Sequence, residues 1–265
     1  MNVRMTKLHG AGNDILVLLK EALPGEITPS EFVQEACNRT RGIGADGLVL
    51  LTFASDACVY VEYYNCNGSS ANMCFNGLRC VACYLEKNGI SAPPYNLQTN
   101  YGVVTAAPNK NSTKLFFEPP SCTVTPIPLH QYPFLQVGYF APIADPHLVV
   151  TVDRSDFENI DFPKMAASLR RSTDLYPNGT NVHLISENNS TWRIKSFERG
   201  IENETEACGS ACVASTHVLK KSHVSYVTTS GDTITVSTND DHWCLEGPVS
   251  YIGQIEYALW KVSRR

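Results

Sequence analysis

The sequence has no excess of positive charge and no long apolar run. Lysine and arginine number 21 against 26 aspartate and glutamate residues, for a formal net charge of −5. This balance argues against a nucleic acid as partner, because phosphate binding depends on clustered cations. No apolar stretch is long enough to span a bilayer, and the N-terminus has no apolar signal-peptide core. We therefore expect a cytoplasmic protein with no membrane partner.

Motifs for a cofactor or a metal are also missing. No glycine-rich phosphate loop is present to hold pyridoxal phosphate. The C-x-x-C from Cys80 to Cys83 has no second such pair and no histidine pair at zinc spacing. We expect neither a cofactor nor a metal. The ten cysteines are spread over 265 residues without a secretion signal, so most of them should be reduced.

The chain does contain the same order of signals twice. A turn and apolar strand at Asn13 return at Asp145, 132 residues later, and a polar loop into Cys74 returns before Cys208, 134 residues later. This repetition predicts an α/β fold with two pseudo-symmetric α/β domains from an internal duplication, and an active site in the cleft between them. We place the domains at 1–125 and 126–253. The join should fall in 119–133, "PPSCTVTPIPLHQYP", whose prolines predict no regular element.

Cys74 and Cys208 each precede a run of apolar residues with helical spacing. Both thiols should therefore lie at helix N-termini, where unpaired N–H groups and the macrodipole favour an anion. Such a position should lower a thiol pKa toward neutrality and offer a carboxylate site. If the domains face each other across these ends, a small acid fits between them with a sulfur on either side of its α-carbon. That is the arrangement of a two-base racemase without a cofactor.

The other cysteines permit a different interpretation. Cys80 and Cys83 fall inside the predicted helix, where a packed pair is expected. A redox switch built on Cys74 and Cys80 is the alternative from another class of protein. It leaves the repeated arrangement around Cys208 unexplained.

Longer blocks resemble the diaminopimelate epimerase family over most of the chain. They are "KLHGAGNDILVL" (7–18), "RTRGIGADGLVLL" (39–51), "YNCNGSSANMCFNGLRCVA" (64–82), "ADPHLVV" (144–150), "NGTNVHLI" (178–185) and "SFERGIENETEACGSAC" (196–212). The resemblance implies a cofactor-independent isomerase that interconverts LL- and meso-diaminopimelate for lysine and peptidoglycan synthesis. It further implies a small amino-acid substrate, a homodimer, and a last segment, 254–265, that returns to the first domain. A racemase with broader or different specificity, for example for glutamate or aspartate, is the alternative within this fold.

The resemblance also assigns roles to individual residues. Cys74 and Cys208 correspond to the catalytic acid/base thiols, and His147 to a histidine that supports one of them. The expected substrate contacts are the backbone of Asn76, Gly77, Gly209 and Ser210 at the reacting carboxylate, Asn13 and Glu198 near the reacting amino group, and Asn65, Asn181 and Arg199 at the distal end.

Three departures from the family pattern affect the expected pocket. Phe75 stands where the family usually has glycine, Asp145 where it has asparagine, and the spacing around Cys208 is shifted. We expect the Phe75 ring to narrow the wall beside Cys74. Asp145 should weaken recognition of a distal carboxylate, because an ionised carboxylate repels another and has no N–H to donate.

Overall fold

The computed structural model describes residues 2–55, 58–130, 132, 135, 137–172, 176, 179–239 and 241–259. The first half contains β1 (Asn2–Gly10), β2 (Asn13–Leu19), a 3-10 turn (Lys20–Ala22), α1 (Pro29–Ala36), β3 (Gly47–Ser55), β4 (Cys58–Asn65), β5 (Ser70–Ala71), α2 (Phe75–Lys87), β6 (Tyr95–Gln98), β7 (Val103–Asn109) and β8 (Ser112–Phe117). The second half contains β9 (Thr125–Pro128), β10 (Val137–Ile143), β11 (Asp145–Thr151), α3 (Arg154–Asn159), α4 (Phe162–Arg170), β12 (Asn181–Asn188), β13 (Thr191–Glu198), β14 (Asn203–Thr205), α5 (Gly209–Leu219), β15 (His223–Val227), β16 (Thr233–Thr238), β17 (Trp243–Pro248) and β18 (Ser250–Ala258).

Strand pairing follows one scheme in both halves. In the first, β1–β2 is antiparallel, β2–β3 parallel, β3–β4 antiparallel, β4–β6 parallel, and β6–β7 and β7–β8 antiparallel. In the second, β10–β11, β11–β12, β12–β13, β13–β15, β15–β16 and β16–β17 repeat that order of directions. The predicted duplicated α/β fold is therefore confirmed.

The strand that follows each half pairs with the first strand of the other half. The strand after the first half, β9, pairs with β10, and the strand after the second half, β18, pairs with β1. Strands β8 and β17 also pair with each other. The segment 254–265 was expected to return to the first domain. Its residues 254–258 pair with β1 of the first half, and 260–265 lie outside the described residues. The residue boundaries of the two domains stay a prediction.

The proline-rich join contains a strand, so the prediction of no regular element there is wrong. Pro126 and Pro128 both lie in β9, opposite Tyr139 and Val137 of β10. Two prolines that are two residues apart point the same way from the strand. The N–H groups of Thr125 and Ile127 are therefore left for the ladder, as in other strands that tolerate proline.

The two longest helices lie against the inner faces of the sheet. Helix α2 contacts β1, β2, β7 and β8, and α5 contacts β10, β11, β15 and β16. One apolar core, formed by α2, α5 and the strands around them, runs through both halves, while separate cores lie under α1 and under α3 with α4. This packing fixes the N-termini of α2 and α5 at the junction. Across the described ranges, no helix combines the length and apolarity of a membrane span.

Candidate active site

Cys74 caps the N-terminus of α2. Its backbone is extended, with φ −137° and ψ 108°, and its Sγ accepts a hydrogen bond from the Gly77 N–H at 3.3 Å. The first N–H groups of a helix have no partner within the helix, so this end of α2 presents donors beside the thiol. The predicted position of Cys74 at a helix start is confirmed.

Cys208 has the same place in α5. Its φ of −126° and ψ of 111° nearly match those of Cys74, and its Sγ lies 3.3 Å from the hydroxyl of Ser210. The preceding segment, whose length departs from the family pattern, forms a turn with positive φ at Gly200 and Glu202 and then strand β14. Despite the shifted spacing, Cys208 stands immediately before its helix.

The starts of the two helices touch. A Cβ on Gly209 would lie 2.7 Å from the Cβ of Phe75 and 3.2 Å from Oδ1 of Asn76, so this contact admits only glycine. The Asn76 side chain also donates from Nδ2 to the carbonyl of Ala207 at 2.8 Å. These contacts hold the segments that carry the two thiols against each other.

A cleft of about 410 Å³ opens between the halves at this contact. That volume suits a small metabolite. Both cysteines line it, together with ten of the residues expected at a substrate: Asn13, Asn65, Phe75, Asn76, Asp145, Asn181, Glu198, Arg199, Gly209 and Ser210. Residues from two distant parts of the chain thus converge on one cavity.

Burial dominates the acidity of both thiols. It raises the pKa of Cys74 to about 11, and the Gly77 N–H and the Tyr63 hydroxyl lower it only in part. The pKa of Cys208 is raised well above its ordinary value, first by burial and then by the negative charge of Glu198. The prediction that helix ends lower these pKa values toward neutrality is therefore wrong, because desolvation outweighs the helix-end donors.

Glu198, at the end of β13, is the acidic group beside Cys208. Burial raises its pKa from the ordinary 4.5 to about 7, against the opposing effect of a hydrogen bond from Thr205 at 2.5 Å. Its carboxyl therefore changes charge close to neutral pH, at the edge of a cleft that holds two thiols.

Asn13 is held in place by a polar network behind the cleft. Its Nδ2 donates to Asp46 at 2.8 Å, and its Oδ1 accepts from Asn76 at 3.3 Å. Asp46 and Asp14 share Arg39, which lies 2.7 Å and 2.8 Å from them. Because both ends of the Asn13 amide have partners, its orientation is set before any ligand binds.

Asp145 forms an ion pair with Arg199. Asp145 Oδ1 lies 2.5 Å from Nη2 of Arg199, and the Arg199 backbone N–H donates to Asn181 Oδ1 at 2.8 Å. The arginine expected at the distal end is thus already bound to a carboxylate of the same chain. Sequence patterns did not reveal this pair.

The Phe75 ring does not form the wall that we expected. Phe75 is 2% exposed, and its ring packs 4.8 Å from that of Phe117, centroid to centroid. The ring therefore fills the core behind α2. The effect of Phe75 on the site is instead its close contact with Gly209.

Gly77 and His147 lie behind the lining. The N–H of Gly77 is used by the Cys74 sulfur. His147 is fully buried, with Nδ1 2.8 Å from Nε2 of His183, which in turn contacts the Ser196 hydroxyl at 3.0 Å. Burial lowers the pKa of His147 to about 3, so this imidazole is neutral at physiological pH.

Tyr63, Arg170 and Glu202 are among the lining residues that the sequence analysis did not single out. Tyr63 lies beside Cys74, and Arg170 and Glu202 form an ion pair of 2.7 Å at the distal side. Tyr63 stands two residues before Asn65 on β4, so the alternation of a strand places both side chains on one face. Arg170 ends α4 and has no sequence signal that links it to the cleft. Of the family block at 178–185, Asn178 lies outside the described residues.

The remaining cysteines do not form bonds with one another. All ten are free thiols. Cys80 and Cys83 are buried within α2, as expected for a packed pair, and burial raises the pKa of both. In the part of the chain that the structure describes, no three histidine, cysteine or acidic side chains are grouped as metal ligands.

Comparisons with known proteins agree with this geometry. The family profile described as diaminopimelate epimerase matches residues 5–118 and again 139–252. A diaminopimelate epimerase of Hydrogenobaculum sp. is 29% identical over 97% of this chain and 99% of the relative, and one of Methanocella arvoryzae is 31% identical over 96% and 97%. The fold matches the crystal structure of a phenazine biosynthesis protein of the PhzF family from Enterococcus faecalis. That match has a TM-score of 0.72 and 15% identity, and covers 98% of this chain and 100% of the other.

Proposed function

The chain belongs to the diaminopimelate epimerase family, and we propose that it interconverts LL- and meso-diaminopimelate with Cys74 and Cys208 as paired proton carriers. The observation that carries the proposal is the position of both cysteines at helix starts on one cleft. It makes the protein an isomerase that needs no pyridoxal phosphate. It also implies roles in lysine and peptidoglycan synthesis.

Inversion requires one thiolate and one thiol on opposite faces of the α-carbon. The thiolate removes the α-proton, and the other thiol donates a proton to the opposite face, so the two exchange roles in the reverse direction. The electron pair left on the α-carbon is delocalised into the carboxylate. Backbone donors at Asn76, Gly209 and Ser210 stabilise the charge that develops there. Asn13 and Glu198 hold the reacting amino group.

Formation of the thiolate needs a favourable charge nearby, because burial raises the pKa of both thiols. A bound α-ammonium places a positive charge near Glu198 and the two sulfurs. That charge favours the ionised forms of Glu198 and of one cysteine. The substrate ammonium thus helps to make one of the thiols a base.

The test is an inversion assay in deuterated water. LL-diaminopimelate is incubated with the purified protein, and chiral chromatography and the loss of the α-proton signal are followed with and without pyridoxal phosphate. We expect conversion that is indifferent to the cofactor. Cys74→Ala and Cys208→Ala should each abolish inversion, while Cys244→Ala, a half-buried cysteine away from the cleft, should not.

Two results would contradict this mechanism. One is inversion that survives loss of either cleft cysteine, and the other is full dependence on pyridoxal phosphate. A redox switch would instead lose an oxidation response on substitution of Cys80, and would exchange no substrate proton.

The Asp145–Arg199 pair bears on the alternative of a racemase with broader specificity, which the family relatives do not favour. A distal carboxylate must compete with Asp145 for the Arg199 guanidinium. Glutamate and aspartate present a shorter acid that depends less on this contact. Relative kcat/KM values for diaminopimelate, glutamate and aspartate distinguish the two candidates.

We also propose a cytoplasmic homodimer, built from domains near 1–125 and 126–253. Exposed apolar side chains on this sheet support the dimer: Tyr60, Val103 and Phe116 are 47%, 51% and 38% exposed on β4, β7 and β8. Exposed apolar surface of this kind is typical of an interaction site in soluble proteins. Light scattering coupled to size exclusion measures the mass, and Val103→Glu should shift it toward the monomer.

A further inference from the structure

Arg79 in α2 is an arginine with no exposed surface. Its guanidinium lies between Gly10 at the end of β1 and Gly247 in β17. A Cβ on Gly10 would come within 3.0 Å of Nη2, and one on Gly247 within 3.1 Å of Nη1. These two glycines, one from each half, leave the space that the guanidinium occupies at the domain junction.

The guanidinium fixes the side chain of Asn76. Nη2 donates to Asn76 Oδ1 at 2.9 Å. Arginine has no acceptor atom, so the amide oxygen must face Arg79 and the NH₂ must face away from it. In that orientation Asn76 reaches the carbonyl of Ala207, one residue before Cys208, and the Oδ1 of Asn13. One buried side chain therefore orders the β1–β2 turn, the start of α2 and the segment that leads to Cys208.

The charge of Arg79 is not neutralised nearby. Its Nε and Nη1 have no hydrogen-bond partner, and no carboxylate among the described residues is within ion-pair distance. An unpaired buried charge opposes folding. The charge of Arg79, or its hydrogen bond to Asn76, therefore has a function that offsets this cost.

We propose that Arg79 is a positioning residue for the reaction: it holds Asn76 across the junction and keeps a positive charge behind the N-terminus of α2. The thiolate of Cys74 and the reacting carboxylate are the anions that this charge stabilises. The inference rests on the proposed function for its catalytic meaning. The charge acts on both anions through a buried, low-dielectric region, and the hydrogen bond acts through Asn76.

Other ionisable groups face the same region. Cys80 of α2, Cys212 of α5 and, at longer range, Asp232 of the β15–β16 turn interact with the Arg79 charge. Around Cys74, Tyr63 of β4 and Glu198 of β13 act on the sulfur besides Arg79. Among the groups that act on the Cys74 thiol, Arg79 is the one with a positive charge, and this charge lowers the pKa of the thiol.

Alkylation of Cys74 by iodoacetamide at pH 8 tests the charge without substrate. Below the thiol pKa the rate is proportional to the thiolate fraction, and mass spectrometry with Cys74→Ala as blank isolates the signal. Arg79→Met should lower both this rate and kcat about tenfold, the effect of one charge acting through protein. Arg79→Lys should recover at least half of the loss on a logarithmic scale. Lys87→Met, which removes an exposed charge from the same helix, is the matched control.

Melting temperature separates this role from a structural one. Arg79→Met removes an unpaired buried charge, which favours folding, and also the hydrogen bond to Asn76, which opposes it, so its melting temperature should change little. The inference is overturned if Arg79→Met matches Lys87→Met in alkylation rate and kcat. It is also overturned if the melting temperature of Arg79→Met falls and Arg79→Lys restores neither the alkylation rate nor kcat. If Arg79→Met does not fold, the alkylation rate and kcat of Arg79→Lys decide alone. A wild type that alkylates as expected but inverts no diaminopimelate would sink the proposed function and leave the charge effect standing.

Discussion

Replacement of Asp145 by asparagine should improve binding of diaminopimelate. In the wild-type cleft the Asp145 carboxylate lies 2.5 Å from the Arg199 guanidinium, and their side chains are 23% and 33% exposed. A substrate that presents a carboxylate to Arg199 must displace or share this partner. The amide keeps the shape of the side chain, removes the negative charge and gains two N–H donors.

The size of the effect follows from the charge that is removed. Two carboxylates about 5 Å apart repel by about 2 to 3 kcal/mol at an effective dielectric of about 20 to 40. Part of this gain is lost, because Arg199 is no longer held in place by Asp145 before the substrate arrives. A net gain of about 1 to 2 kcal/mol corresponds to a five- to thirtyfold fall in KM.

The assay measures KM and kcat for diaminopimelate, glutamate and aspartate on both proteins. We expect the fall in KM for diaminopimelate to exceed that for the two shorter acids. Glu187→Gln, an equal change of charge at an exposed ion pair with Lys221, should leave all three KM values unchanged. An unchanged or higher KM for diaminopimelate in Asp145→Asn would refute the reasoning and show that Asp145 does not compete for Arg199.

The remaining predictions concern Glu198 and the core. Burial raises the Glu198 pKa from 4.5 to about 7, so its stabilising contribution is full below pH 4.5 and is lost as the pH rises through 7. Glu198→Gln should therefore be more stable than wild type at pH 8, by at most about 3 kcal/mol since the carboxyl meets the open cleft, and equal melting-temperature differences at pH 5 and pH 8 would contradict this. Cys80→Ala and Cys83→Ala should lower the free energy of unfolding by roughly 1 to 2 kcal/mol and leave kcat intact in denaturant and rate measurements. Gly209→Ala puts a methyl 2.7 Å from the Phe75 Cβ, and should cost about 1 to 3 kcal/mol of stability and lower kcat; normal values for both would mean that the junction yields.

Several parts of the fold and site could be read from the sequence because they depend on neighbours along the chain. Helical spacing after Cys74 and Cys208 predicted the starts of α2 and α5, which the structure has at Phe75 and Gly209. The repeated order of signals predicted two similar halves. The family blocks named most of the side chains that line the cleft.

Other features depend on residues that only folding brings together. Prolines in 119–133 argued against a strand, yet Thr125 to Pro128 form β9 and pair with β10. We expected the Phe75 ring at the cleft wall, but it packs against the Phe117 ring in the core. Phe117 is far from Phe75 in the sequence, and the pairing of β9 with β10 has no signal in the proline pattern.

The sequence by itself determined the duplication, the helix-start cysteines and the family to which the chain belongs. The tertiary structure alone decided the chemical state of the site. Burial raises both thiol pKa values. Arg199 forms an ion pair with Asp145, and Arg79 is enclosed between glycines of the two halves. The physical reason is the distance along the chain over which each effect acts. Spacing, turns and helix ends are properties of short segments, whereas desolvation and charge pairing depend on what the whole chain packs around each group.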